Sequence, residues 1–295
     1  MLSRPKRSIP FAAVAVGSLA FLVAAAPARF AFGLIGDGVS TTQPAPLGFV
    51  GHRAGQGGIV RAYHTDLSFP TEGELSAAEA GDRVVLTFKA DPTAVVTGED
   101  DPALEAAASA MSVAGGDWLV GYWHEPEDDM TPARYQRAFQ HVAAIFGRAA
   151  NVRTIAVFMA WTFTTGDGDT WYPGDDAVDV IGVDGYNWMG CLSHGGDVSP
   201  TGWSRSFADV FKAADAFAVA HAKPLIATEF GTPDDPSHPG AKARWLRDAG
   251  QWIDAHPEFI GGTYFNYDLT DGFRCNWALN RRQLSVYRDV RLSLD

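Results

Sequence analysis

Eight apolar runs rich in β-branched and aromatic residues recur along this chain, at residues 30–35, 59–63, 83–88, 118–122, 153–159, 178–183, 224–228 and 259–265. They are continuous rather than alternating, the pattern of strands covered on both faces by other layers, and hence of a parallel sheet. Most of the intervals carry helical spacing. Thr131-Pro132 reads as a cap and first-turn pair, followed by a stripe of Tyr135, Phe139, Val142, Ala143, Ile145 and Phe146. Phe207, Val210, Phe211, Ala214, Phe217 and Ala218 form a second stripe, and Trp245, Leu246, Ala249, Trp252 and Ile253 a third. A last helix is expected over residues 284–292. Strands each trailed by a helix, with right-handed crossovers, close into an α/β fold of the (β/α)8 TIM-barrel type. Between Ile35 and Ile59 the text is rich in Gly, Thr and Pro, and only residues 45–54 suit a short helix, so the first βα unit is expected to be abbreviated.

The length suits one such barrel, and no Ser/Pro-rich linker or repeat divides it. Arg4-Pro5-Lys6-Arg7 precedes an apolar stretch over 11–26, with small residues at Ala24, Ala26 and Ala28. This is a signal-peptide pattern, with an uncleaved anchor as the alternative. The expectation is a signal segment at 1–28, a single domain at 29–295, and an extracellular address, cell-surface if the segment is retained. Loss of Arg4, Lys6 and Arg7 with that segment would take the formal charge from −12 to −15. So acidic a surface repels nucleic acid and anionic lipid, which need clustered Lys and Arg, and suits a neutral partner. The two cysteines, Cys191 and Cys275, make one disulfide the natural hypothesis for an exported protein, with two separate thiols as the alternative.

In a (β/α)8 barrel the reactive groups project from the C-terminal strand ends. Strand four ends in Tyr122-Trp123-His124-Glu125, strand five in Ala160-Trp161, and strand six in Asp184-Gly185-Tyr186-Asn187-Trp188. Strand seven ends in Glu229 and strand eight in Tyr264-Phe265-Asn266-Tyr267-Asp268. Two carboxyls on separate strand ends, about a hundred positions apart, are what double-displacement cleavage of a glycosidic bond requires. Trp123, Trp161, Trp171, Tyr172, Tyr186, Trp188, Trp203 and Trp277 fall in loops or strand ends, and aromatic faces stack on the C–H faces of sugars. Each alone is equally explained by loop packing.

Three motifs then carry a resemblance. Trp123-His124-Glu125-Pro126-Glu127, the run from Trp171-Tyr172-Pro173-Gly174 to Val183-Asp184-Gly185-Tyr186-Asn187, and Lys223-Pro224-Leu225-Ile226-Ala227-Thr228-Glu229-Phe230-Gly231 resemble the signatures of glycoside hydrolase family 26. The likeness is clearest from about Arg83 to Asp268. It implies a retaining β-glycanase of the clan that includes the β-mannanases, with Glu125 as acid/base and Glu229 as nucleophile. It further implies that His124 stands where many relatives have Asn, that Tyr186 hydrogen-bonds the nucleophile, and that Trp123 and Trp161 line the sugar sites beside the cut. Strand eight departs from the pattern, since a Trp is expected where Tyr264-Phe265-Asn266 stands, which leaves Tyr264 and Phe265 as candidate platforms.

The residues themselves agree with that division. Glu125 needs a raised pKa, which apolar flanks would supply, whereas Glu229 must be ionised, favoured by the Tyr186 phenol and by a nearby cation such as Arg61. An ion pair within the barrel wall explains Arg61 equally well. Glu127 reads as a solvent-facing or helix-start acid, and Asp184 as an orienting neighbour. Trp188, Asn187 and Asn266 are candidate rim groups for the substrate. His52, His64, His194 and His221 show no metal spacing with each other or with the cysteines, and no phosphate loop is present, so neither metal nor cofactor is expected. A Cys191–Cys275 bond would tether two rim loops across strand seven. The expected protein is a monomer acting on a neutral β-linked polysaccharide, most plainly β-1,4-mannan. Mixed-linkage glucan or xylan is the rival within the class, and a non-catalytic glycan-binding barrel the rival outside it.

Overall fold

The structure is a computed structural model and describes residues 31–35, 58–191, 204–269 and 275–294. The expected signal segment, the short helix expected at 45–54 and Trp203 lie outside the described residues. Eight parallel strands form one sheet: β1 (Ala31–Ile35), β2 (Ile59–His64), β3 (Arg83–Phe88), β4 (Asp117–Tyr122), β5 (Val152–Met159), β6 (Val180–Tyr186), β7 (Leu225–Gly231) and β8 (Phe259–Phe265). Their order in the sheet is β1-β8-β7-β6-β5-β4-β3-β2. The ladder from β8 to β1 brings the two ends of the chain's strand series together, giving a nearly closed barrel.

Helices cover the outside. They are α1 (Glu72–Glu79), α2 (Pro92–Thr97), α3 (Asp101–Ala114), α4 (Pro132–Phe146), α5 (Ala160–Thr164), α6 (Gly168–Trp171), α7 (Phe207–Ala220), α8 (Ala241–Asp254) and α9 (Arg281–Leu294). In α4 the expected stripe is buried at Tyr135, Phe139, Val142, Ile145 and Phe146, joined by Ala138, while Ala143 is only half-buried. Each such side chain contributes about 1.5–3 kcal/mol on burial, Ala less, and Phe139→Ala would cost about 3–5 kcal/mol with the cavity it leaves. Trp171 and Tyr172 belong to this same layer. Both are buried, so neither is a sugar platform, and that expectation is corrected.

The period of two along each strand decides what fills the barrel. Ile59, Val85, Leu119, Ile155, Val157, Val180, Ile226 and Ile260 form a separate apolar cluster inside it. Below them Asp117 accepts from Arg83 at 2.7 Å and from Arg153 at 2.8 Å, while Arg83 also reaches the carbonyl of Ile260 at 2.7 Å. The interior is tight at Gly121, where a Cβ would lie 2.5 Å from the carbonyl oxygen of Ile155. Further along the same strand faces, at even steps beyond these apolar positions, come Arg61 and Tyr63 on β2, Thr87 on β3, and Asp184 and Tyr186 on β6. Polar side chains thus sit as a layer above the apolar plug, at the C-terminal end of the strands.

Candidate active site

Glu229 reaches this layer through an irregularity in β7. Between matched pairs, β6 advances from Gly182 to Asp184 while β7 advances from Ile226 to Glu229, one residue more. The ladder with β8 shows the same extra residue, Ala227 to Phe230 against Gly262 to Tyr264. Such a bulge re-aims a side chain. Here Phe230 packs outward against Phe207, Tyr264 and Trp245. Thr228 and Glu229 both turn to the barrel's polar layer, where Thr228 meets Asp184 at 2.6 Å.

Two phenols hold Glu229. Tyr63 donates to Oε1 at 2.5 Å, and Tyr186 donates to Oε2. Burial, with the charge of Glu229 beside them, pushes both phenols well above their ordinary range, so they remain donors. Arg61 does not take the place expected for it. Its guanidinium donates to Thr87 Oγ1 at 2.9 Å and to the carbonyl of Ala62 at 3.0 Å, and lies 4.1 Å from the ring centroid of Tyr63. The β2 contact to Glu229 is therefore a phenol backed by a cation, not the cation itself. Tyr63 was legible in principle, being two residues after Arg61 on the same strand face and nearer the rim.

Glu125 arrives by a strained loop. Trp123 and Glu125 both adopt left-handed backbone, at φ 52° and 51°, which costs side-chain-bearing residues of order 1–3 kcal/mol and needs the surroundings to impose it. Those surroundings are hydrogen bonds from Trp123 N to Phe88 O at 2.8 Å and from Glu125 N to Val157 O at 3.1 Å, which stitch the turn to β3 and β5. Pro126 then begins a single 3-10 turn, Pro126–Asp128. Glu127 is not the solvent acid the sequence suggested. Its Oε1 accepts from Met159 N at 2.9 Å and from Thr162 Oγ1 at 2.5 Å, anchoring the Glu125 loop to β5 and α5.

The two carboxyls have unequal surroundings. Burial first, then the charges of Glu229 and Glu127, push Glu125 up to about 8. Asp184, buried and beside Glu229 in register, is driven far above the usual carboxylate range, by burial and then by the Glu229 and Glu125 charges. His124 is pushed well below its ordinary value by burial and by Arg61 and Lys89, so its ring is neutral. Thr87 accepts from Arg61 and lies 3.1 Å from His124 Nδ1. With the hydroxyl hydrogen turned to Nδ1, the ring's own proton sits on Nε2.

Aromatic side chains complete the rim. Trp123 donates from its indole to Asp129 at 2.7 Å and has the Lys89 ammonium 5.0 Å from its ring. Trp161 is 42% exposed, a large apolar side chain left facing solvent beside the site. Trp188 and Phe265 are half-buried and meet Tyr186 edge-on at 5.8 Å each. Trp277 is buried against Tyr186, with ring centroids 4.8 Å apart. Tyr264 is corrected as a platform: it is fully buried and its hydroxyl is spent on the carbonyls of Trp277 at 2.8 Å and Thr232 at 3.2 Å. Phe265 is thus the strand-eight aromatic left at the rim. Asn187 is a supporting group, buried and tied to Thr232 at 3.0 Å and to the backbone of Arg205 at 3.0 Å. Asn266 is likewise buried, accepting from Leu279 N at 2.6 Å.

Cys191, after β6, is bonded to Cys275 in β10 (Cys275–Asn276), which pairs with β9 (Asp268–Leu269). The disulfide therefore joins rim segments on either side of β7 and packs with Trp277 under Trp188 and Phe265.

The sequence also matches known proteins. The model of glycosyl hydrolase family 26 matches residues 111–235. Endoglucanase H of Acetivibrio thermocellus is 30% identical over 184 residues, 60% of this chain, and the chain spans 19% of that relative's length. Among solved structures, fungal β-1,4-galactanases align with a TM-score of 0.59 at 11% identity, over 80% of this chain and 88% of theirs. GH26C from Muricauda sp. MAR_2010_75 aligns with a TM-score of 0.56 at 14% identity, over 90% of this chain and 86% of its own. At such identities the structures speak for the barrel alone. The span that the family 26 model matches, residues 111–235, holds both Glu125 and Glu229.

Proposed function

We propose that the protein is an exported, retaining endo-β-glycanase working from a single domain over residues 29–295, with Glu125 as general acid/base and Glu229 as nucleophile. The observation that carries the division of labour is the inequality of the two carboxyls. Glu125, pushed up to about 8, holds its proton at neutral pH, while Glu229 accepts from the two phenols of Tyr63 and Tyr186. In the first step Glu229 attacks the anomeric carbon as the Glu125 proton passes to the departing glycosidic oxygen, giving a glycosyl ester on Glu229. In the second, Glu125, now ionised, takes a proton from water as that water attacks the same carbon, and Glu229 leaves as a carboxylate. Two inversions give net retention. Trp123 and Trp161 serve as stacking faces, and His124 Nε2–H as a donor to a sugar hydroxyl.

The acidic surface supports a neutral polysaccharide. Two backbones have support. The motif resemblance favours β-1,4-mannan, and the name of the relative that is 30% identical favours a β-glucan. A panel of mannan, mixed-linkage β-glucan, cellulose and xylan, with sizing of the products, separates them. Release of a ladder of oligosaccharides from one backbone is the expected result. Monosaccharide alone would refute endo action, and binding without turnover on every member would leave the glycan-binding barrel as the correct account.

A further inference from the structure

Metal-ligating side chains from two segments converge at the end of the barrel opposite the catalytic rim. Asp215 lies on α7, and His256 and Glu258 lie in the turn between α8 and β8; one donor atom from each falls within 4.8 Å of the other two. The position follows from the backbone. Glu258 immediately precedes β8, and its carbonyl accepts from Leu225 N at the start of β7.

Two further features point to a ligand. His256 Nδ1 is 2.5 Å from the carbonyl of Trp252, and its ring stacks on that indole at 3.8 Å. A neutral imidazole that donates Nδ1–H to a backbone carbonyl presents its Nε2 lone pair outward, which is how metal-binding histidines are commonly oriented. That nitrogen faces Asp215 Oδ2 at 3.8 Å. The gap exceeds a hydrogen bond and is close to the ~3.4 Å that separates two ligands of a tetrahedral ion bound at about 2.1 Å. The second feature is Asp215 Oδ1, which is sealed from solvent and has no hydrogen-bond partner among the described residues. Among the described residues, no Lys or Arg is ion-paired with Asp215 or Glu258. Two carboxylates side by side with no cation between them are unfavourable.

We propose that Asp215, His256 and Glu258 bind a divalent transition metal, zinc by its liking for imidazole and carboxylate ligands, with water at the open position. The ion clips α7 to the α8–β8 turn. It takes no part in bond cleavage, because its ligands leave the opposite end of the strands. Sequence spacing conceals the site, since its first ligand comes about forty positions before the other two.

The test uses the full chain after exhaustive dialysis against chelator. Titration with Co2+ is expected to develop visible d–d absorption saturating at one equivalent and to be bleached by Zn2+. At Zn2+ a hundredfold over its Kd, the Tm is expected to rise by about 5–10 °C. His256→Gln and Glu258→Gln are each expected to weaken Zn2+ binding by tenfold or more while leaving turnover of polysaccharide unchanged. Asp215→Asn separates the alternatives: it relieves the carboxylate crowding, so the metal-free Tm rises, but the response to Zn2+ disappears. The proposal is overturned if wild type takes up neither Co2+ nor Zn2+ at about 1 mM, leaving a proton-sharing carboxyl pair. It is equally overturned if all three variants bind the ions as wild type does.

Discussion

Glu125→Gln is expected to stabilise the protein, and to do so increasingly as pH rises. The wild-type carboxyl is pushed from an ordinary value of 4.5 up to about 8, mainly by burial. Between those limits the folded protein holds a proton that the unfolded chain has released, so wild-type stability falls as pH rises through that window. Glutamine keeps the shape and has no proton to lose. At 1.36 kcal/mol per unit, about three units of the window have been crossed by pH 7.5, which sets an upper bound of about 4 kcal/mol. Water still reaches the partly exposed carboxyl, so about half of that, ~2 kcal/mol, is the reasoned expectation. Scanning calorimetry of the two proteins should show Tm values within about 1–2 °C at pH 5 and a gain for Glu125→Gln of about 4–8 °C at pH 7.5. A gap that does not change with pH, or a variant less stable at pH 7.5, would refute the claim that the fold strains this carboxyl toward its neutral form.

Three further outcomes follow from named contacts. Tyr63→Phe removes one of two donors to Glu229 and should lower kcat by about 10- to 100-fold with little change in KM, measured by steady-state kinetics on the substrate the panel identifies. Glu127→Gln removes a like charge beside Glu125, so the alkaline limb of the kcat/KM–pH profile, expected near 8 in wild type, should move to lower pH by on the order of one unit or less; an upward move would contradict the assigned sign. Reduction of Cys191–Cys275, which spans 84 positions, should cost about 3–5 kcal/mol of stability and raise protease sensitivity of the rim, read by a Tm drop and by limited proteolysis.

The strand series was legible because buried parallel strands leave continuous apolar runs, and all eight runs became strands within two or three residues at their ends. The large amphipathic helices α4, α7 and α8 were legible for the same reason, one buried stripe each. By contrast α1 carries a weak stripe, and its start is marked chiefly by the Thr71 and Glu74 capping box, a signal that asks for reading at single residues. Glu125 and Glu229 stood out as acids ending apolar runs. What spacing alone could not give is the bulge that turns Glu229 inward, because the extra residue of β7 is defined only against the registers of β6 and β8. Tyr264 was misjudged for a related reason: it looks like a rim residue in sequence, but its hydroxyl closes on the backbone of the Thr232 and Trp277 segments, which only the folded chain brings together. Arg61 and Tyr63 show the same limit. Side-chain parity placed both in the barrel, and geometry alone decided which of them touches Glu229.

The carboxyl pair also explains why an aspartate as buried as Asp184 is tolerated. It shares the polar layer with Glu229, and burial first, then the Glu229 charge, favours its neutral form, so Thr228 and Asp184 act as an uncharged floor beneath Glu229. An ionised carboxylate there would raise the barrier to placing negative charge on Glu229. The site therefore concentrates its negative charge at one position by suppressing it at two others, Glu125 and Asp184.

That concentration is the central claim, and proton NMR of the first turnovers tests it most directly. With the β-linked polysaccharide that the protein cleaves, the account predicts that the new reducing end appears first as the β-anomer and then mutarotates toward equilibrium, the mark of a glycosyl ester formed and hydrolysed at Glu229. First appearance of the α-anomer would mean single displacement by water, and would contradict Glu229 as a nucleophile.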